Sequence, residues 1–149
     1  MKNIPQFWLA ALLIAAAPAQ AQQSPSPNGA EDEVRTVARG FAAALSSGDS
    51  IAALGYLHDE VRILEGARAE TKEQYRSGHL SADIRYASSV QSETLREGVT
   101  LTGEVALYTR QYRVTGTSGR GALIDRTSSE AMVLVRTPTG WQIRDVHWF

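Results

Sequence analysis

The chain has 149 residues, with 15 basic side chains against 16 acidic ones, three histidines and no cysteine. A near-neutral balance without a clustered basic face excludes the electrostatic footprint of a nucleic-acid binder. The lack of cysteine excludes disulfides and a lipid carried on an N-terminal cysteine, and a chain of this size, typical of one domain, can bury a core without cross-links.

The first segment reads as a targeting signal. A short, weakly basic start (Met1, Lys2, Asn3) precedes the apolar run FWLAALLIAAA from Phe7 to Ala17, then Pro18 and the small-residue triplet ending at Ala21. This is the anatomy of a secretory signal peptide over residues 1–21, and the apolar run is shorter than the roughly 20 residues of a spanning helix. The expectation is a secreted protein of the bacterial periplasm that leaves the membrane once the signal is cleaved. Residues 22–30 (QQSPSPNGA) hold no large apolar side chain and read as a flexible linker, so the folded domain is expected over 31–149.

Glu31, Asp32 and Glu33 suit a helix N-terminus, and Val34, Val37, Ala38, Phe41 and Leu45 follow at helical spacing. Gly48 stops that helix and Asp49 caps a short second one, expected to turn Ile51, Leu54 and Leu57 inward. A brief strand at Val61–Leu64 follows. Thr71 and Gln74 then have capping-box spacing for a third helix reaching about Leu80. From Ile84 the apolar period becomes two. Strands are expected near Ile84–Arg96, Leu101–Thr115, Ala122–Arg136 and Trp141–Trp148, separated by turns at Glu97-Gly98, Gly116–Gly121 and Thr137–Gly140. Helices first and antiparallel strands afterwards give an α+β fold.

Three stretches carry a family resemblance: FAAALSSGDSIAALGYL, where Gly-Asp divides two helices, GEVALYTRQYRVTGT, and the closing GWQIRDVHW. With this element order, the segment Glu31 to Phe149 resembles the nuclear-transport-factor-2-like superfamily, which includes SnoaL-like polyketide cyclases and ketosteroid isomerases. The resemblance implies a cone: three N-terminal helices packed on a strongly curved, mainly antiparallel sheet around a ligand pocket. It also implies homodimers, which many members form through the sheet. The ketosteroid isomerases place a catalytic tyrosine in the first helix and a base aspartate around the first strand. Here that helix carries only Phe41, and the acid nearest that strand's end is Glu65, so those roles are not carried over.

The last hairpin supplies the candidate catalytic pair. A turn on Pro138-Thr139 pairs Thr137 with Gly140, and regular counting places Leu134 opposite Ile143 and Glu130 opposite His147. Directly opposed side chains sit about 5 Å apart at Cβ, so Glu130 would orient His147 as a general base on the face shared with Trp141. A bulge in either strand would break the pair. Tyr75, His79 and Asp83 share one face if the third helix continues, with Asp83 placed to bond His79; the resemblance puts this segment at the pocket mouth. Tyr108, Arg110 and Tyr112 share one strand face, inward or outward, the register being open. If inward, Arg110 and Tyr112 join Tyr75, His79, Asp83 and Trp141 as candidate ligand contacts. His58 reads as a loop residue. No two histidines have the local spacing of a strong metal motif, and no nucleotide fingerprint occurs, so neither metal nor cofactor is expected. The leading expectation is a pocket for a small, partly apolar ligand without strong catalysis. The alternatives are an acid–base enzyme of isomerase, cyclase or hydrolase type using His147 with Glu130, and a purely structural dimerisation module.

Overall fold

The computed structural model describes residues 27–66, 68–119 and 121–149. The expected signal peptide and the first five linker residues lie outside them. Helix α1 spans Pro27–Ser47. The last four residues assigned to the linker are therefore helical, and the Glu31–Glu33 run sits one turn inside the helix. Proline opens a helix readily because the N–H it lacks would have no partner there. Val34, Ala38, Phe41 and Leu45 form the buried face. Gly48 ends the helix at φ 81°, a left-handed conformation that only glycine enters freely.

Helix α2 (Ser50–Tyr56) is capped by Asp49, whose carboxylate accepts from the Ala52 N–H at 2.9 Å. Ile51, expected inward, is 84% exposed. Two residues turn a helix by about 200°, so burying Ala53 sends Ile51 to the far side. Strand β1 (Leu57–Glu65) follows, then β2 (Arg68–Thr71), which the sequence reading missed. The capping box at Thr71 and Gln74 is present and starts α3 (Lys72–Ser77). Where one helix was expected there are two. The chain breaks at Gly78 and restarts as α4 (Leu80–Ser89), which runs through the proposed start of a strand at Ile84. Leu80, Ile84 and Ala87 fit a helical period as well as an extended one, and packing against α1 favours the helix.

The long strands are β3 (Val90–Thr102), β4 (Val105–Thr117), β5 (Leu123–Thr137) and β6 (Gly140–Trp148). Glu97-Gly98, read as a turn, lies inside β3; the reversal falls at Gly103, at φ 60°. The sheet order is β2-β1-β6-β5-β4-β3, antiparallel throughout except where β1 runs parallel to β6. The architecture is thus α+β, with four helices over the concave face of a mainly antiparallel sheet. Phe41 on α1 joins Leu57, Tyr108, Met132, Leu134 and Ile143 in one core.

Candidate functional site

Strand parity builds the concave wall. On β4 the even residues Ala106, Tyr108 and Val114 are buried, so Arg110 and Tyr112 face the same way. The face left open by the sequence is therefore the inner one. Across the ladder Arg110 pairs with Glu130, Tyr112 with Ser128 and Val114 with Arg126. Glu130 in turn stands opposite Trp148 on β6, and Trp148 opposite Glu65 on β1. A continuous row, Glu65–Trp148–Glu130–Arg110, thus crosses four neighbouring strands.

The expected opposition of Glu130 and His147 does not occur. The ladder runs as counted from Thr137–Gly140 to Leu134–Ile143, but Val133 then pairs with Asp145, leaving Arg144 as an extra residue on β6. This bulge inverts the parity of the strand end. Val146 and Trp148 turn inward, and His147 faces outward opposite Ala131, with its ring 4.3 Å from that of Phe149. The indole of Trp148 takes the place foreseen for the imidazole, its Nε1 donating to Glu130 Oε2 at 3.2 Å.

Glu130 is only 6% exposed. Burial pushes its carboxyl above the ordinary range, while the Arg110 guanidinium and the Trp148 indole pull the other way. Arg110 is itself fixed in place: Nη1 reaches Glu130 Oε1 at 3.4 Å, Nε donates to Thr94 Oγ1 and Nη2 to Ser92 Oγ, both at 2.8 Å. Its guanidinium also lies 4.5 Å from the centroid of the Tyr112 ring. Burial raises the Tyr112 phenol to about 12, so it stays protonated at neutral pH.

Between this wall and the helices lies an open cavity of about 320 Å³. Helix α1 contributes Ala42, Leu45 and Ser46, and α4 contributes Asp83, Tyr86 and Ala87. Asp83 is held from behind: the Tyr75 hydroxyl on α3 donates to its Oδ2 at 2.8 Å. Tyr75 is fully buried, and burial drives both its phenol and the Asp83 carboxyl upward. The two meet across the Gly78 break rather than along one helix. That break turns His79 away from Asp83 and toward Glu70 on β2, Nδ1 to Oε1 at 2.6 Å, and this contact raises the imidazole pKa. His79 lines a small cleft with Glu70 and Arg68 that adjoins the main cavity through Glu65 and Asp83, which line both.

Of the candidate residues, Glu130, Asp83, Arg110 and Tyr112 therefore line the cavity, and Tyr75 supports it from behind. His147, His79 and Trp141 do not line it. Trp141 is buried in the core beneath the Arg136 guanidinium, 4.7 Å away, and Arg136 is tied to Glu33 of α1. His58 is in β1, its Nδ1 accepting from the Glu60 N–H at 3.1 Å. Glu65, Tyr86, Arg126, Ser128 and Trp148 also line the cavity, and the sequence reading proposed none of them as contacts. Parity with Glu130 would have found Ser128 and Arg126. Among the described residues no cluster of His, Cys, Asp and Glu could hold a metal ion.

No family model matches the chain, and neither does any curated protein. Solved structures do. One is a candidate ketosteroid isomerase from Shewanella frigidimarina, 29% identical, with a TM-score of 0.76 over 81% of this chain and 98% of that one. A nuclear transport factor 2 (NTF2-like) superfamily protein from Salmonella enterica serovar Typhimurium is 14% identical, with a TM-score of 0.71 over 83% of this chain and 92% of that one. The association domain of CaMKII from C. elegans is 15% identical and has a TM-score of 0.63, over 79% of this chain and 93% of that one. The cone, the helical cover and the open cavity are those of a ligand-binding fold. The fold is that of the nuclear-transport-factor-2-like superfamily.

Proposed function

We propose that this is an exported protein that binds a small, partly apolar molecule in the cavity between α4 and the concave wall. The observation that carries the proposal is the cavity itself. Its volume falls within the ~300–1,000 Å³ of small-molecule sites, and its walls combine Leu45, Ala87, Val114 and Trp148 with a few fixed polar groups. Millimolar 2-naphthol serves as a test ligand in calorimetry. Binding is expected in the wild type and should be lost in Ala87→Trp, which fills the cavity; a wild type that takes up none of it would sink the reading.

Export to the periplasm rests on the signal-like segment Met1–Ala21. A mature protein whose mass still includes that segment would exclude it. Homodimer formation is supported by the convex face, where Val105 and Leu107 stand opposite Val135 and Val133 and remain well exposed. Sedimentation as a monomer at micromolar concentration would exclude it.

One observation favours a second reading, acid–base catalysis. The Asp83 carboxylate reaches the cavity, is held by the Tyr75 hydroxyl and has its pKa raised by burial, which suits a proton acceptor better than His147 on the convex side. It is also in keeping with the likeness to the candidate isomerase. An Asp83→Asn variant that turned over an identified substrate at the wild-type rate would remove it.

A further inference from the structure

The charged groups on the cavity wall do not cancel evenly. Arg110 and Glu130 neutralise each other at its centre. Arg126 has no carboxylate within ion-pair distance among the described residues. Its Nη2 donates to the Tyr86 hydroxyl at 2.9 Å, and its guanidinium lies 5.8 Å from that ring's centroid. The adjacent acid brings no relief. Strand alternation turns Asp125 to the convex side, where it takes Arg113 through two bonds of 2.8 and 2.7 Å. At the other end stand Glu65 and Asp83, close enough for the Glu65 charge to act on Asp83; the His79 imidazole, bonded to Glu70, is near enough to feel both, but neither carboxylate forms an ion pair of its own among the described residues. Glu65 belongs to the Glu130 row. Arg126 is four residues from Glu130 along β5, or about 13 Å of strand.

We infer that the ligand is bipolar: a carboxylate or like anion docks on Arg126 and Tyr86, and a hydroxyl or amine at its far end donates to Asp83 or Glu65. This rests on the cavity being the ligand site. The guanidinium fork suits a carboxylate, and the Tyr86 oxygen, already accepting from Arg126, still has its own O–H to donate to the same anion. Val114, Ala87 and Tyr112 offer an apolar path between the two ends.

The test compares 6-hydroxy-2-naphthoate with its neutral amide, 6-hydroxy-2-naphthamide, by calorimetry at neutral pH. The carboxylate should bind the wild type roughly tenfold more tightly, the scale of a charge-assisted bond partly open to water. Arg126→Gln should erase the preference by weakening the carboxylate far more than the amide, and Tyr86→Phe should reduce the preference in part. Equal affinities in the wild type, or a preference that survives Arg126→Gln, would overturn the inference. If 2-naphthol binds and no carboxylate preference appears, the inference fails and the pocket reading stands. If 2-naphthol does not bind either, both fail.

Discussion

Replacing Arg110 by methionine is expected to cost about 3 kcal/mol of folding stability near pH 8, and clearly less near pH 5. The variant keeps an apolar stem of similar length and removes the charge. Glu130 would then be buried with the Trp148 indole as its one remaining donor among the described residues. Its carboxyl already titrates above the ordinary range, and without Arg110 it moves further up. The folded state would then hold a proton that the unfolded state releases. Stability falls as pH rises from the unfolded carboxyl value to the folded one, and is flat above that. Below the unfolded value both states are protonated, and only the packing and hydrogen bonds of Arg110 are missing. Urea unfolding of wild type and variant at the two pH values measures the difference. A deficit independent of pH would show that Glu130 is not the group left exposed to the loss.

Trp148→Ala is expected to cost about 3 kcal/mol, at the low end for a large aromatic because the ring is half-buried. It should also weaken 2-naphthol binding by about tenfold, since a Trp face of the cavity disappears. Two losses combine here: the packing of the ring between Glu65 and Glu130 in the row, and the Nε1–H bond to Glu130. Trp148→Phe separates them. It restores most of the wall but leaves Glu130 Oε2 without its donor, a loss of about 1 kcal/mol. Unfolding midpoints and calorimetric affinities read the two effects independently. A Trp148→Ala protein as stable as wild type would mean that the indole lies loosely on the wall.

What the sequence disclosed of this molecule follows the range of the forces involved. Caps act within a turn, and both Asp49 with Ala52 and Thr71 with Gln74 sit where residue spacing put them. Parity along a strand is equally local, so Tyr108, Arg110 and Tyr112 could be grouped, but their side of the sheet depended on pairing with β5. That pairing sets Arg110 opposite Glu130, whose side chain is buried. The failures lie where one segment's choice is decided by another. Arg68–Thr71 is polar and short, and becomes a strand only because β1 offers it an edge. With β2 unseen, Glu70 was missing, and His79 was given Asp83 for a partner. Helix α4 keeps Ile84 because α1 and α2 pack over that side.

The extra residue at Arg144 can be viewed as a change of reading frame. Before it, odd positions of β6 point into the molecule; after it, even positions do. Any comparison of related chains that aligns this strand by its alternating pattern alone, from the turn onward, will set His147 against residues that serve the cavity. It will likewise set Trp148 against residues that serve the outside. The phase has to be counted from both ends of the strand. Counted from the C-terminus, the last inward side chain is an indole, and the histidine before it belongs to the protein's outer surface.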